Sequence, residues 1–292
     1  MNSQVCDHTS VLRFLEARFG VPETNISPWR RAVMGDLVSA FDFAAPNSEP
    51  VPDLRLLSKA QADAIRAEQE ALGPVPVPTV DGQAMPAQAC GVRFSRALPY
   101  ELHTSGRADP AGGAMQLLFA NTGTAGAVFH VYDRLHLDRL PRRYTLEAGT
   151  ELDGRWDVAA DGGAYDLWVL GPNGYHRHFK GRMAGPGLPL TADPEIRVCY
   201  EITRGDVYVS FFNRGDAPCT FQVQPNAYYA GGESWSFEVA AGGEVEQRWE
   251  LAHSGGWYDF SVTLAGDGGY LRRFAGRVET GKPSISDPAM GA

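Results

Sequence analysis

Gly162-Gly163-Ala164-Tyr165-Asp166-Leu167 is answered about 93 residues later by Gly255-Gly256-Trp257-Tyr258-Asp259-Phe260. The correspondence extends to both sides. Gly174-Tyr175-His176-Arg177-His178-Phe179-Lys180-Gly181-Arg182 is matched by Gly269-Tyr270-Leu271-Arg272-Arg273-Phe274-Ala275-Gly276-Arg277. Upstream, Asn121-Thr122-Gly123 is matched by Asn213-Arg214-Gly215, and Trp156 by Trp249. Gly, Trp, Tyr, Asp and Phe that keep their places at a fixed interval mean two copies of one structural unit. An interval of about 90 residues is too long for a solenoid, whose repeats run to about 20–50 residues. It fits a tandem pair of small domains.

Within each copy the apolar residues alternate. Val92 and Phe94, then Tyr165, Leu167 and Val169, do so in the first; Val207, Val209 and Phe211, then Tyr258, Phe260 and Val262, do so in the second. Pro172-Asn173-Gly174 and Gly266-Asp267-Gly268-Gly269 read as turns between strands. Short alternating strands with frequent turns predict antiparallel β-sandwiches. The expected modules cover 89–187 and 188–280, with a polar, frayed tail over 281–292.

The opening is different. Val11, Leu12, Leu15 and Phe19 fall on one helical face of residues 7–20, with Asp7 or Ser10 as cap and Gly20 as stop. Ser27-Pro28 predicts a second helix start. Residues 1–45 are too short to bury this apolar face alone. They need a partner surface, and weak anchoring is expected over 1–43. Residues 46–88 read as a linker: Pro46, Pro50 and Pro52 break the chain, Ser58 and Gln61 form a capping box, and Pro74-Val75-Pro76-Val77-Pro78 is a stiff spacer.

The formal net charge of −9 argues against nucleic acid as a partner, because such binding needs a basic face. It also supplies no long-range attraction to an anionic bilayer. No apolar run is long enough for a transmembrane segment, and Met1-Asn2-Ser3-Gln4-Val5-Cys6 has no signal-peptide pattern. Cys6, Cys90, Cys199 and Cys219 lack metal-ligand spacing and are expected as unpaired thiols.

Chemistry-bearing residues are sparse. His176 and His178 could supply two metal ligands, but a site needs a third; a solvated basic strand is the expectation. Asp166 and Asp259 belong to different copies and are expected to close turns or bind backbone N–H groups, not to form a catalytic pair. Arg177 and Arg272 stand between Tyr and Phe, where an arginine stem packs on a ring. Asp7-His8-Thr9-Ser10 reads as a helix cap. No nucleophile elbow, zinc-protease helix or phosphate loop is present. Tyr228, Tyr229, Trp235 and Trp257 lack aromatic mates in the first copy. They are the candidates for lipid contact, since Tyr and Trp suit membrane interfaces.

Several strings together resemble a known family. Asp7-His8-Thr9-Ser10-Val11-Leu12-Arg13-Phe14-Leu15-Glu16, Asn25-Ile26-Ser27-Pro28-Trp29-Arg30-Arg31 and Ser39-Ala40-Phe41-Asp42-Phe43 resemble the end of the catalytic domain of bacterial phosphocholine-preferring phospholipase C. Arg96-Ala97-Leu98-Pro99-Tyr100-Glu101-Leu102 resembles the entry to its C-terminal region, and the duplicated unit resembles its two C-terminal β modules. The resemblance implies a secreted or periplasmic, metal-dependent phosphodiesterase. It would release phosphocholine from phosphatidylcholine or sphingomyelin, leaving diacylglycerol or ceramide. The family's nucleophile and most metal-binding carboxylates precede the part matched here, so no catalytic residue, metal site or cofactor is expected in this chain.

The fold is therefore expected to be mainly β: two tandem antiparallel sandwiches after a short helical remnant of an α/β phosphoesterase domain. The expected role is the non-catalytic C-terminal region of a phospholipase C, supporting the fold or the approach to a phospholipid bilayer, with the upstream catalytic domain as partner. The alternative is a stand-alone carbohydrate- or protein-binding module, and a third reading gives the chain enzyme activity of its own. Sandwiches host all three roles.

Overall fold

The computed structural model describes residues 1–44, 48–51, 53–84, 89–183, 192–229 and 232–291. The expected breaks at Pro46 and Pro52 and the module boundary at 187/188 lie outside the described residues. Two compact units divide the chain: 42–89 forms one, and 1–41 with 90–292 forms the other. In the larger unit, helix α1 (Thr9–Phe19) ends at Gly20 in the left-handed region, and α2 (Pro28–Val33) starts with Ser27 accepting from the Arg30 N–H. The smaller unit holds α3 (Lys59–Ala71), which begins with the expected Ser58–Gln61 capping box and has no buried residue.

Strands make up the rest of the larger unit. The first half holds β1 (Phe94–Ser95), β2 (Leu102–Asp109), β3 (Ala114–Asn121), β4 (Ala127–Asp133), β5 (Arg142–Leu146), β6 (Thr150–Asp157), β7 (Ala164–Leu170) and β8 (His176–Arg182). The second holds β9 (Pro194–Glu201), β10 (Asp206–Asn213), β11 (Cys219–Pro225), β12 (Trp235–Val239), β13 (Glu244–Trp249), β14 (Trp257–Leu264), β15 (Asp267–Arg277) and β16 (Ser284–Ile285). Three-stranded sheets β2-β3-β6 and β9-β10-β13 share one strand order. So do the four-strand runs β5-β4-β7-β8 and β12-β11-β14-β15. Each half is a sandwich with its own apolar core. Leu117, Phe119, Phe129 and Leu167 fill the first; Val209, Phe211, Phe221 and Phe260 fill the second.

The repeated residues have local causes. Gly163 and Gly256 follow a one-turn helix with φ of 82° and 89°, a region that disfavours any side chain with a Cβ. Asn121 closes the first core: its Nδ2 donates to the carbonyls of Ala125, Leu146 and Glu147 while its Oδ1 accepts from the Gly123 N–H. Asn213 repeats this with Ala217, Val239, Ala240 and Gly215. A Cβ on Gly123 would stand 2.4 Å from the Pro99 carbonyl, so the loop needs glycine there.

The two sandwiches are not merely adjacent in sequence. Antiparallel pairing of β8 with β15 fuses their larger sheets into one of eight strands. Each half thereby covers the other's strand edge, which would otherwise be open to foreign pairing.

Two expectations about the ends are corrected. The tail is not frayed: β16 pairs with β1, and Ser286 donates its N–H to the Arg93 carbonyl. The short β1 offers an edge that the tail satisfies. Nor is the opening segment loosely held. Backbone bonds run from Gly126 to the Ala32 carbonyl and from Arg96 to the Met1 carbonyl, and the Tyr100 hydroxyl accepts from the Val5 N–H. Ile26 and Val33 are buried.

Candidate functional site

The junction between the halves collects most of the buried charge among the described residues. In the β8–β15 ladder, Arg177 stands opposite Phe274, His178 opposite Arg273, and Phe179 opposite Arg272. Corresponding residues of the repeat thus meet about a local two-fold axis through the His178–Arg273 pair. On the core side, the arginines cross it. Arg177 donates to the Tyr258 hydroxyl at 3.2 Å and the Ala275 carbonyl at 3.0 Å. Arg272 donates to the Tyr165 hydroxyl at 2.9 Å and the Lys180 carbonyl at 2.8 Å. Each arginine is 2% exposed and lies over the tyrosine two residues before it, Arg177 on Tyr175 at 4.3 Å and Arg272 on Tyr270 at 4.4 Å. The packing role read from the Tyr-x-Arg-x-Phe spacing is therefore right, and the reach into the opposite half was invisible in the strand pattern.

The partners of the two arginines differ. Arg272 is gripped by Glu195 through Nε and Nη2, at 2.8 and 2.9 Å. Burial opposes its charge most strongly, but the Glu195 carboxylate, together with Tyr165 and Tyr270 beside it, outweighs that and raises its pKa well above the usual arginine value. Among the described residues no carboxylate pairs with Arg177; its Nη2 donates to the Tyr200 hydroxyl at 2.7 Å.

On the outer face of the same ladder, the predicted site residues take roles that correct two expectations. Asp166 and Asp259 do not close turns. Asp166 meets His178 Nε2 at 2.6 Å, and Asp259 accepts two bonds from Arg273 at 2.8 and 2.6 Å. Asp166 stands opposite Lys180 and Asp259 opposite Ala275, so each aspartate binds diagonally to the residue two positions along the next strand, which shares its face. His178 is not solvated; it is 5% exposed, covered beside the Trp168 edge. Burial, with the Arg273 charge beside it, lowers the pKa of His176 to about 4. Among the described residues no three His, Cys, Asp or Glu side chains converge as metal ligands. Asp166, the nearest candidate for a third ligand, is already the partner of His178.

The four lipid-contact candidates do not form one exposed surface. Trp257 is buried, with Nε1 donating to the Ile285 carbonyl at 3.1 Å, and a Cβ on Gly174 would stand 3.3 Å from its ring. Tyr228 is half-buried and donates to Asp287 at 2.8 Å. Tyr229 and Trp235 do come together, edge to face at 5.7 Å, against Phe260. The large residue in place of Ala164 thus fills the space between tail and junction. At the chain's start, Asp7 accepts from the N–H and hydroxyl of Thr9 and pairs with Arg30, a capping role. All four cysteines are free thiols.

Helix α1 is fixed by its polar side. Glu16 pairs with Arg31 at 2.9 Å, and Arg13 donates to the Met34 carbonyl. The Arg31 hydrogen bond, with the Glu23 N–H, lowers the Glu16 pKa to about 2. Its apolar side is left bare: Val11 is 53%, Leu12 42%, Leu15 44% and Phe19 66% exposed. A contiguous apolar face of this kind marks an interaction surface. No helix among the described residues is long and apolar enough to cross a membrane.

Comparison with known proteins fits this geometry. The chain is 50% identical over 295 residues to a non-hemolytic phospholipase C of Pseudomonas aeruginosa, covering all of this chain and 41% of that protein. It is 43% identical to a non-hemolytic phospholipase C of Burkholderia pseudomallei, covering 99% of this chain and 40% of that protein. A hemolytic phospholipase C of Pseudomonas aeruginosa is 39% identical, with 99% of this chain and 42% of that protein covered. The chain thus spans about two fifths of the length of these curated relatives, in their C-terminal part. The family described as bacterial phospholipase C, C-terminal domain, matches residues 94–182 and 194–277, the spans that hold the two sandwiches, and the chain belongs to that family.

Proposed function

We propose that this chain is the non-catalytic C-terminal region of a phospholipase C, and that α1 is the element by which it seats the enzyme's upstream catalytic domain. The observation that carries this is the bare face of Val11, Leu12, Leu15 and Phe19 on a helix anchored by its opposite, polar side. The relatives extend well beyond the part matched here, which supplies an occupant for the face. The reaction assigned to the whole enzyme is hydrolysis of phosphatidylcholine or sphingomyelin to phosphocholine and a diacylglycerol or ceramide.

The test has two arms. This chain alone, given divalent metals, should release no phosphocholine from phosphatidylcholine vesicles. Mixed with the upstream part of the Pseudomonas aeruginosa non-hemolytic phospholipase C, it should form a complex on gel filtration that Leu12→Asp with Leu15→Asp abolishes. Turnover by the repurified chain alone, or a complex indifferent to the double substitution, overturns the reading.

A further inference from the structure

The two ends of the junction are related by the local two-fold, yet one is filled and the other is hollow. The strand registers identify the corresponding residues. Leu102 pairs with Asn121 in the first half as Pro194 pairs with Asn213 in the second. Counting along β2 and β9 from these pairs matches Thr104 with Ile196 and Ala108 with Tyr200.

At the filled end, Tyr200 reaches across the junction. Its hydroxyl donates to the Leu102 carbonyl at 2.9 Å, accepts from Arg177, and lies 3.1 Å from the Tyr258 hydroxyl. The Tyr175 hydroxyl donates to Thr104 at 2.9 Å. The cavity left there is about 20 Å³, room for little more than a water molecule.

At the other end both devices are missing. Ala108 stands where Tyr200 would, and a cavity of about 170 Å³ remains. Tyr270, the counterpart of Tyr175, lines it at 6% exposure. Ile196 stands in the place of Thr104, and the Tyr270 hydroxyl has no hydrogen-bond partner among the described residues. A buried hydroxyl left without a partner is destabilising and calls for an explanation. Burial raises its pKa well above the ordinary tyrosine value, so it remains a donor.

The charge around the opening is also unlike the rest of the chain. Arg107, Arg182 and Arg214 line the same cavity and are exposed. Among the described residues none of the three forms an ion pair. Asp193 and Asp267 line it too. Arg272 and Glu195 neutralise each other. Arg182 also donates to the Gly162 carbonyl at 2.8 Å, a bond that leaves its charge uncompensated. Three guanidinium groups without an ion pair among the described residues, against two carboxylates, make a locally positive pocket in a chain of net charge −9. Guanidinium forks match the oxygens of phosphate.

We propose that this cavity binds a phosphate-class oxyanion, held by Arg107, Arg182 and Arg214 at the mouth and by the Tyr270 hydroxyl within. The ligand is a free phosphate or phosphomonoester, or the phosphate of a lipid headgroup presented at a surface. The site stands apart from the α1 face and does not depend on the seating role proposed above.

The experiment uses the full chain with two probes: inorganic phosphate, followed by calorimetry at low ionic strength, and phosphatidylcholine vesicles containing phosphatidic acid, followed by sedimentation. Saturable binding of phosphate alone identifies a free-anion site; vesicle binding competed by phosphate identifies the headgroup. Ala108→Tyr, which installs the residue that fills the other end, should abolish binding. Tyr270→Phe, nearly isosteric, should weaken it about tenfold through loss of a hydrogen bond to a charged group. Melting curves check that both variants fold. Absence of binding by both probes, or binding unchanged in Tyr270→Phe and in a folded Ala108→Tyr, overturns the proposal.

Discussion

His178 and Arg273 stand opposite each other at the centre of the β8–β15 ladder, and each is held by the aspartate of its own half. Asp166 takes the imidazole and Asp259 the guanidinium. The two carboxylates, placed one strand out on either side, give each of these buried or half-buried polar side chains a partner where the halves meet. The core side solves the same problem differently, with Glu195 serving one buried arginine and tyrosine hydroxyls the other.

That difference predicts unequal sensitivity. Glu195→Gln leaves Arg272 buried without a countercharge and should destabilise the chain by about 3–5 kcal/mol, the usual cost of removing one partner of a buried pair. Arg272→Met combined with Glu195→Leu should recover much of that. Urea denaturation measures both, and a loss below about 1 kcal/mol for the single variant would mean that water reaches the pair.

His176 gives the fold a pH dependence of known sign. Its pKa falls from 6.5 to about 4 on folding, through burial first and the Arg273 charge second. The unfolded chain therefore binds the proton first as pH drops. The stability associated with neutral His176 is complete above pH 6.5, declines as pH falls, and stops declining below about pH 4. His176→Gln should flatten the melting temperature across that window without moving it at pH 8. An unchanged slope would place the titration elsewhere.

Trp257→Ala should cost about 3–5 kcal/mol, as for other large aromatic truncations in a core. It should also release the tail, because the indole N–H is the donor to Ile285. Hydrogen exchange would show lost protection at Ser284–Ile285, where β16 pairs with β1. Tail protection equal to that of the parent chain would show that the β1 pairing suffices.

The duplication, the β-sandwich class and the helix caps were legible in the residues, because alternation, Gly-Gly turns and capping boxes act over a few positions. Asn121 and Asn213 stood out for the same reason: each clamps its own nearby loop. The cross-junction reach of Arg177 and Arg272 was not legible. A strand pattern gives the face a residue occupies but not the strand that lies beside it, and β8 joins β15 across most of the second half. Trp257 misled for a related reason: its size marked a difference between the copies, while its direction depended on the tail folding back over it. The hollow at Ala108 is the extreme case. An alanine on a strand is unremarkable until the local two-fold sets it against Tyr200, and only the tertiary pairing of the halves creates that axis.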